Sequence, residues 1–364
     1  AMMQMTYDCD TPGFQYLAAP LRPNAAMIRE WREFLEKSDL PSRAYGIGYI
    51  YAPVSRGTIP GNLRGFKQSL AARFADRLER LNTEMGTCFP SWNAVFLVPE
   101  DYLLRRNTGG ETPLDKAFRE FKESLEPAER YYFNVEGFFK RRYLKAQYSQ
   151  DLAAYNRRHG ARHGSWNEVR LSRRLPAGPE AGNADREDWE SFVRTVLNLV
   201  WLRADPGAAP SYREYLQARY GDIAILNRRY GTSHISFDAV PLVVEPPASG
   251  LILSDWETFV RGWTDPATGK RHALPADMIR IHSVEFMLRD RLQAKYGTIG
   301  SLNKSAGTGF KDWIEIQPPQ RDWHYLCFAE CSGQLRREFL TRNYRTVIEY
   351  VALHGRAIVN TAVY

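Results

Sequence analysis

Just past the middle of the chain, apolar positions fall at Tyr212, Tyr215, Leu216 and Tyr220, the i, i+3, i+4, i+8 spacing of one helix face. Pro210-Ser211 supplies a start, and Gly221 can take the left-handed conformation that stops a helix. Asp222 then caps a second, shorter helix that runs through Leu226-Asn227 to Gly231. The same order returns with Leu288, Leu292, Tyr296-Gly297, Leu302-Asn303 and Gly307. Two earlier versions are looser, with Phe74-Ala75 and Tyr148-Ser149 in place of Tyr-Gly and one extra residue before the asparagine. A further apolar helix precedes the pair. Asp188-Trp189-Glu190-Ser191-Phe192-Val193 and Asp255-Trp256-Glu257-Thr258-Phe259-Val260 are close copies, the first extended by Val196, Leu197 and Val200. Trp31 with Phe34-Leu35, and Asp322-Trp323, are degenerate versions.

The pattern repeats at fixed offsets. Asn82, Asn156, Asn227 and Asn303 stand 74, 71 and 76 residues apart. Four residues after each comes Gly86, Gly160, Gly231 or Gly307, and ten after each comes Trp92, Trp166, Phe237 or Trp313. Thirteen after each comes Val95, Val169, Val240 or Ile316, and a proline follows: Pro99, Pro176, Pro241 and Pro318. The unit is therefore about 72 residues: aromatic helix, linker, long helix, short helix, aromatic-Val-Pro loop. Pro- and Gly-rich connectors lie at 176–182, 205–210 and 245–250, and residues 44–60 are predicted as a strand or hairpin outside the scheme. The expected fold is mainly α, a tandem array of four such repeats with irregular loops and a few short strands. Its expected divisions are an N-terminal segment (1–60), a first repeat core (61–100), three further repeats (101–180, 181–245, 246–320) and a C-terminal segment (321–364).

Composition narrows the function. With 364 residues, 44% hydrophobic and 25% charged, the chain is that of a folded protein. No stretch approaches the roughly 20 apolar residues of a membrane helix, and the start shows neither the basic nor the apolar part of a signal peptide. Four cysteines, Cys9, Cys88, Cys327 and Cys331, are too few for a disulfide scaffold. The net charge of +7 permits an acidic partner. Its basic residues are spread, in pairs such as Arg141-Arg142, Arg157-Arg158 and Arg228-Arg229, as on solvated helix faces, so nucleic acid is not expected.

The residues with chemical promise mostly read as structural. Trp92, Trp166, Phe237 and Trp313 could stack on sugars, but an aromatic at one offset in every unit reads better as a plug of that unit's core. The four asparagines read as caps satisfying turn backbone. Asn167-Glu168 resembles a glycosidase acid, yet the same offset holds Asn93-Ala94 and Asp238-Ala239, and Ser165 with Glu168 fits a capping box. His159 and His163 have the spacing of a helical metal pair, but Gly160 and Gly164 argue against a helix there. His324, Cys327 and Cys331 could share a face, with no fourth ligand in view. No cofactor, metal or catalytic set is expected.

Two resemblances bear on function. Tyr212-x2-Tyr215-Leu216-x3-Tyr220-Gly221-x-Ile223-x2-Leu226-Asn227-x3-Gly231-Thr232 is similar to a surface helical pair in the family 42 β-galactosidases, away from their active site. About 30 residues of each unit carry it, without barrel strands or a catalytic glutamate pair. At the other end, Asn343-Tyr344-Arg345-Thr346-Val347-Ile348 and Arg356-Ala357-Ile358-Val359-Asn360-Thr361-Ala362-Val363-Tyr364 resemble the lead-in to a core membrane helix in binding-protein-dependent sugar ABC permeases. That resemblance covers about 22 residues. It implies an extracytoplasmic insertion on the periplasmic face of a bacterial inner membrane, anchored through membrane helices of the parent chain. Its implied partners are a solute-binding protein and the other permease subunit, with carbohydrate as cargo.

Overall fold

The computed structural model describes residues 24–46, 61–95, 112–127, 130–178 and 181–319. They are mainly helical, as the apolar spacing predicts, and the strands are two or three residues long. The first helix, α1 (Ala25–Lys37), is capped by Asn24 and buries Trp31, Phe34 and Leu35. Strand β1 (Tyr45–Gly46) follows, the one described part of the segment expected as a hairpin. Next come α2 (Gly61–Arg73), α3 (Leu78–Met85) and α4 (Pro113–Ser124). Thr112 and Asp115 close a reciprocal capping box at the start of α4. Strand β2 (Tyr131–Tyr132) pairs antiparallel with β1.

Three helical units then follow. In the first, α5 runs as α over Val135–Phe138, π over Phe139–Leu144 and α again over Lys145–Gln147, and α6 (Leu152–His159) is the short helix. In the second, α7 (Asn183–Ser191) passes into a π turn over Phe192–Val196, before β3 (Leu202–Ala204), α8 (Ala209–Tyr220) and α9 (Ile223–Tyr230). The stripe expected to continue to Val200 is broken there: the helix ends at Leu197, and Leu199–Trp201 forms a separate 3-10 turn. The third holds α10 (Gly250–Arg261), the hairpin β4 (Trp263–Thr264) and β5 (Arg271–His272), β6 (Ile279–Ile281), α11 (Val284–Tyr296) and α12 (Ile299–Ala306). Strand β6 pairs with β3, joining the second and third units.

The step between long and short helix explains why two units have the looser sequence. Gly221 and Gly297 make that step with one residue at positive φ. Where glycine is missing, two successive residues at positive φ do the same work: Ala75 and Asp76, then Ser149 and Gln150. The extra residue in the sequence is the second of each pair.

The four anchors do not share one core. Phe66, Leu70, Phe74, Leu81, Met85 and Val95 pack with Leu114, Ala117 and Phe118 of α4 in a small core of their own. The larger core joins α1 to everything from β2 onward. Lys122 ties the two together, its ammonium donating to the carbonyls of Ser42 (2.8 Å) and Tyr45 (3.0 Å). Residues 321–364, including Asp322-Trp323 and the segment resembling a permease, lie outside the described residues.

Candidate functional site

The most regular local structure is the loop after each short helix. Asn227 sits in the last turn of α9; its Nδ2 donates to the His234 carbonyl (2.8 Å) and its Oδ1 accepts from the His234 N–H (2.9 Å) and the Thr232 hydroxyl (2.9 Å). Asn303 does the same with Phe310 and Thr308, and Asn82 with Phe89 and Thr87. Asn156 holds both backbone groups of His163 but lacks the third bond, because Ala161 stands where the others have threonine. The glycine four residues on ends each helix in the left-handed conformation, with φ of 65, 62, 68 and 62° at Gly86, Gly160, Gly231 and Gly307. A short amide side chain that donates and accepts at once can pin a peptide group seven residues away; this is why asparagine recurs.

Trp92, Trp166, Phe237 and Trp313 each open a 3-10 turn, lying half-buried against the core. Three residues further, Val95, Val169, Val240 and Ile316 are fully buried. A cation of the long helix reaches the same loop: Lys67 donates to the Trp92 carbonyl, Arg213 to that of Val240 and Arg289 to that of Ile316. The expected Ser165 cap is not made; Glu168 instead accepts from the Gly164 N–H (3.0 Å), as Glu315 does from Lys311. Glutamate reaches one residue further back than the capping box requires.

The aromatic helix at the start of a unit meets the preceding short-helix region through an acid–tryptophan pair. Asp188, beside Trp189, accepts from the Tyr148 hydroxyl (2.6 Å), and Asp255, beside Trp256, accepts from those of Tyr220 and Tyr230. Glu30, beside Trp31, accepts from Tyr296 (2.7 Å) and Lys295 (2.9 Å). The last joint returns the chain to its beginning: α12 and α11 pack on α1, and the Asn24 amide donates to the Ala306 carbonyl (2.8 Å). Trp189 and Trp256 donate to the carbonyls of Ser172 and Val243, each sixteen residues past an anchor asparagine. Burial raises the Tyr220 phenol to about 12, with the Asp255 hydrogen bond adding to it, so the phenol stays a donor.

The first joint differs chemically. His159, at the end of α6, lies between Asp185 (2.6 Å) and Asp188 (3.0 Å) and stacks on Tyr155 at 4.0 Å. Burial alone would lower its pKa; the hydrogen bonds it donates to Asp188 and Asp185 outweigh that and raise it. The same partnership lowers Asp188 against the effect of its burial. His159 and His163 do not share a helix face. His163 lies past the helix end, pinned by Asn156, its ring 3.8 Å from Glu168. Among the described residues no group of three His, Cys, Asp or Glu is placed to hold a metal; His324, Cys327 and Cys331 lie outside them.

A second buried cluster has no trace in the repeat pattern. Glu136 accepts from Lys140 (2.9 Å), Gln317 (3.1 Å) and the Leu171 N–H (3.3 Å), with Arg170 and Arg289 each at 3.6 Å. Glu285, fully buried, accepts from the Glu136 backbone N–H at 2.9 Å. Burial pushes the Glu285 carboxyl up, against the weaker pull of that hydrogen bond and of Arg289. These glutamates come from two different units and carry no sequence signature of their own.

No family model, curated protein or solved structure matches the chain. Among the described residues no helix is long and apolar enough to cross a membrane.

Proposed function

We propose that the chain is a non-enzymatic extracytoplasmic domain of a carbohydrate ABC transporter permease, and that it docks a solute-binding protein. The sequence of residues 343–364 motivates the transporter. One observation on the fold carries the docking role: the large apolar side chains exposed among the described residues, Ile225, Ile235 and Val243, all fall in the second unit. Ile235 is 91% exposed, at the loop position where the other units carry Pro90, Gly164 and Lys311. Exposed Arg228 and Arg229 lie on the helix leading into it. A greasy loop tip beside two cations suits a protein surface with an apolar dimple and acidic rim.

The buried carboxylates support a scaffold role. Asp188, Asp255 and Glu30 are engaged by tyrosines, histidine or lysine of the neighbouring unit, so their chemistry holds helices together. The test is stimulation of permease ATPase by the binding protein, in proteoliposomes. Deleting residues 24–319 is expected to abolish stimulation, and Ile235→Asp to weaken it. Stimulation unaltered by the deletion sinks the docking role. Glycoside turnover or saturable sugar capture lost on Trp166→Ala and Trp313→Ala would instead favour a soluble carbohydrate-active protein.

A further inference from the structure

A cleft of about 290 Å³ opens where the two cores meet, between the C-terminal end of α1, the turn into β1 and the last turn of α4. Leu35, Tyr45 and Tyr132 belong to the larger core, whereas α4, which contributes Glu123, packs in the smaller one. Seams of this kind are where small-molecule sites concentrate, and the volume lies near the lower end of their usual range of about 300–1,000 Å³.

The walls are held in place by the protein's own bonds. Lys122, buried and outside the lining, donates to the carbonyls of Ser42 and Tyr45, which are in it. The Arg130 guanidinium lies 4.5 Å over the Tyr45 ring and donates to the carbonyls of Leu125 (2.9 Å) and Glu123 (2.9 Å). Both cations are fixed before any ligand arrives, so little ordering cost falls on binding. Of the two, Arg130 lines the cleft, and it faces the exposed carboxylates of Asp39 and Glu123, so the lining carries both signs of charge. Phosphate would meet two carboxylates; a polyamine would meet the Arg130 guanidinium. What remains is a neutral molecule with many hydroxyls: Asp39 and Glu123 accept, the Ser38 and Ser42 hydroxyls donate and accept, and Leu40 and Pro41 offer an apolar edge for C–H faces.

We propose that this cleft binds a small neutral polyol, of the size of one or two sugar rings. The site stands on the cleft alone and survives failure of the docking role. It is tested by saturation-transfer NMR and calorimetry on the chain with glucose, galactose, maltose and sorbitol, with inorganic phosphate and spermidine as contrasts. Asp39→Ala and Glu123→Ala remove exposed acceptors without touching either core, and Ser42→Trp fills the space. At least one polyol should bind saturably, at least roughly tenfold more weakly in either alanine variant and not at all after Ser42→Trp. Melting temperatures of the alanine variants should stay within about 2 °C of the parent. Three results overturn the proposal: no polyol saturating by about 50 mM, binding unmoved by all three variants, or phosphate or spermidine binding in place of the polyols.

Discussion

Truncating the anchor asparagines should produce a graded loss that follows the count of hydrogen bonds each one makes. Asn227→Ala removes three: to the carbonyl and N–H of His234 and from the Thr232 hydroxyl. At about 0.5–1.5 kcal/mol net for each bond, that is about 1.5–4.5 kcal/mol. Alanine is the better helix former and returns about 0.5 kcal/mol, leaving about 1–4. Asn156→Ala removes two bonds, to His163, so it should cost about 1 kcal/mol less than Asn227→Ala or Asn303→Ala. The converse is sharper. Ala161→Thr supplies the missing hydroxyl and should stabilise by up to about 1 kcal/mol, and that gain should vanish in an Asn156→Ala background. Urea unfolding followed by circular dichroism at 222 nm, with m checked for constancy, measures each difference. The reasoning fails if Asn156→Ala costs as much as Asn227→Ala, or if Ala161→Thr stabilises equally with and without Asn156.

Three further outcomes are expected. Ser149→Gly and Gln150→Gly relieve a left-handed backbone that costs a side chain about 1–2 kcal/mol, partly offset by the freer unfolded chain, and should each raise stability by about 0.5–1 kcal/mol in urea melts; Gly221→Ala should do the opposite. Glu285, raised by burial, binds its proton more tightly when folded, so its contribution is fullest at low pH and lost as pH climbs from the ordinary carboxylate range through its raised value. Glu285→Gln should flatten that part of the stability–pH curve and melt higher than the parent at pH 8; a parallel curve would show that Glu285 keeps an ordinary pKa. His159 is likewise raised, so its contribution is present below an ordinary histidine pKa and fades as pH rises through the raised one. His159→Tyr, which copies Tyr230 at the matching position, should fold and lose that dependence in melts between pH 6 and 9; an unchanged profile would remove His159 as its source.

Much of the local structure is determined by sequence alone. Apolar spacing in Tyr212, Tyr215 and Leu216 requires a helix, and Gly221 and Asp222 stop it and start the next. The four Asn–Gly–aromatic–Val offsets reflect bonds spanning at most thirteen residues, so each is written inside its own segment. The aromatic and asparagine side chains are half-buried, because they finish the surface of a loop. Other features depend on which segments meet. Asp188 and Asp255 are visible as copies beside tryptophan, but that each accepts from a tyrosine 35 or 40 residues earlier follows from helix packing. Glu30 meets Tyr296 across 266 residues, and no periodicity encodes the return of α12 to α1. The separate small core around Phe66 and Phe118, the burial of Glu285 against Glu136 and the cleft beside Arg130 are of the same kind. Hydrogen bonds along a helix are set by residues a few places apart, whereas burial and charge pairing are set by whatever the whole chain brings alongside.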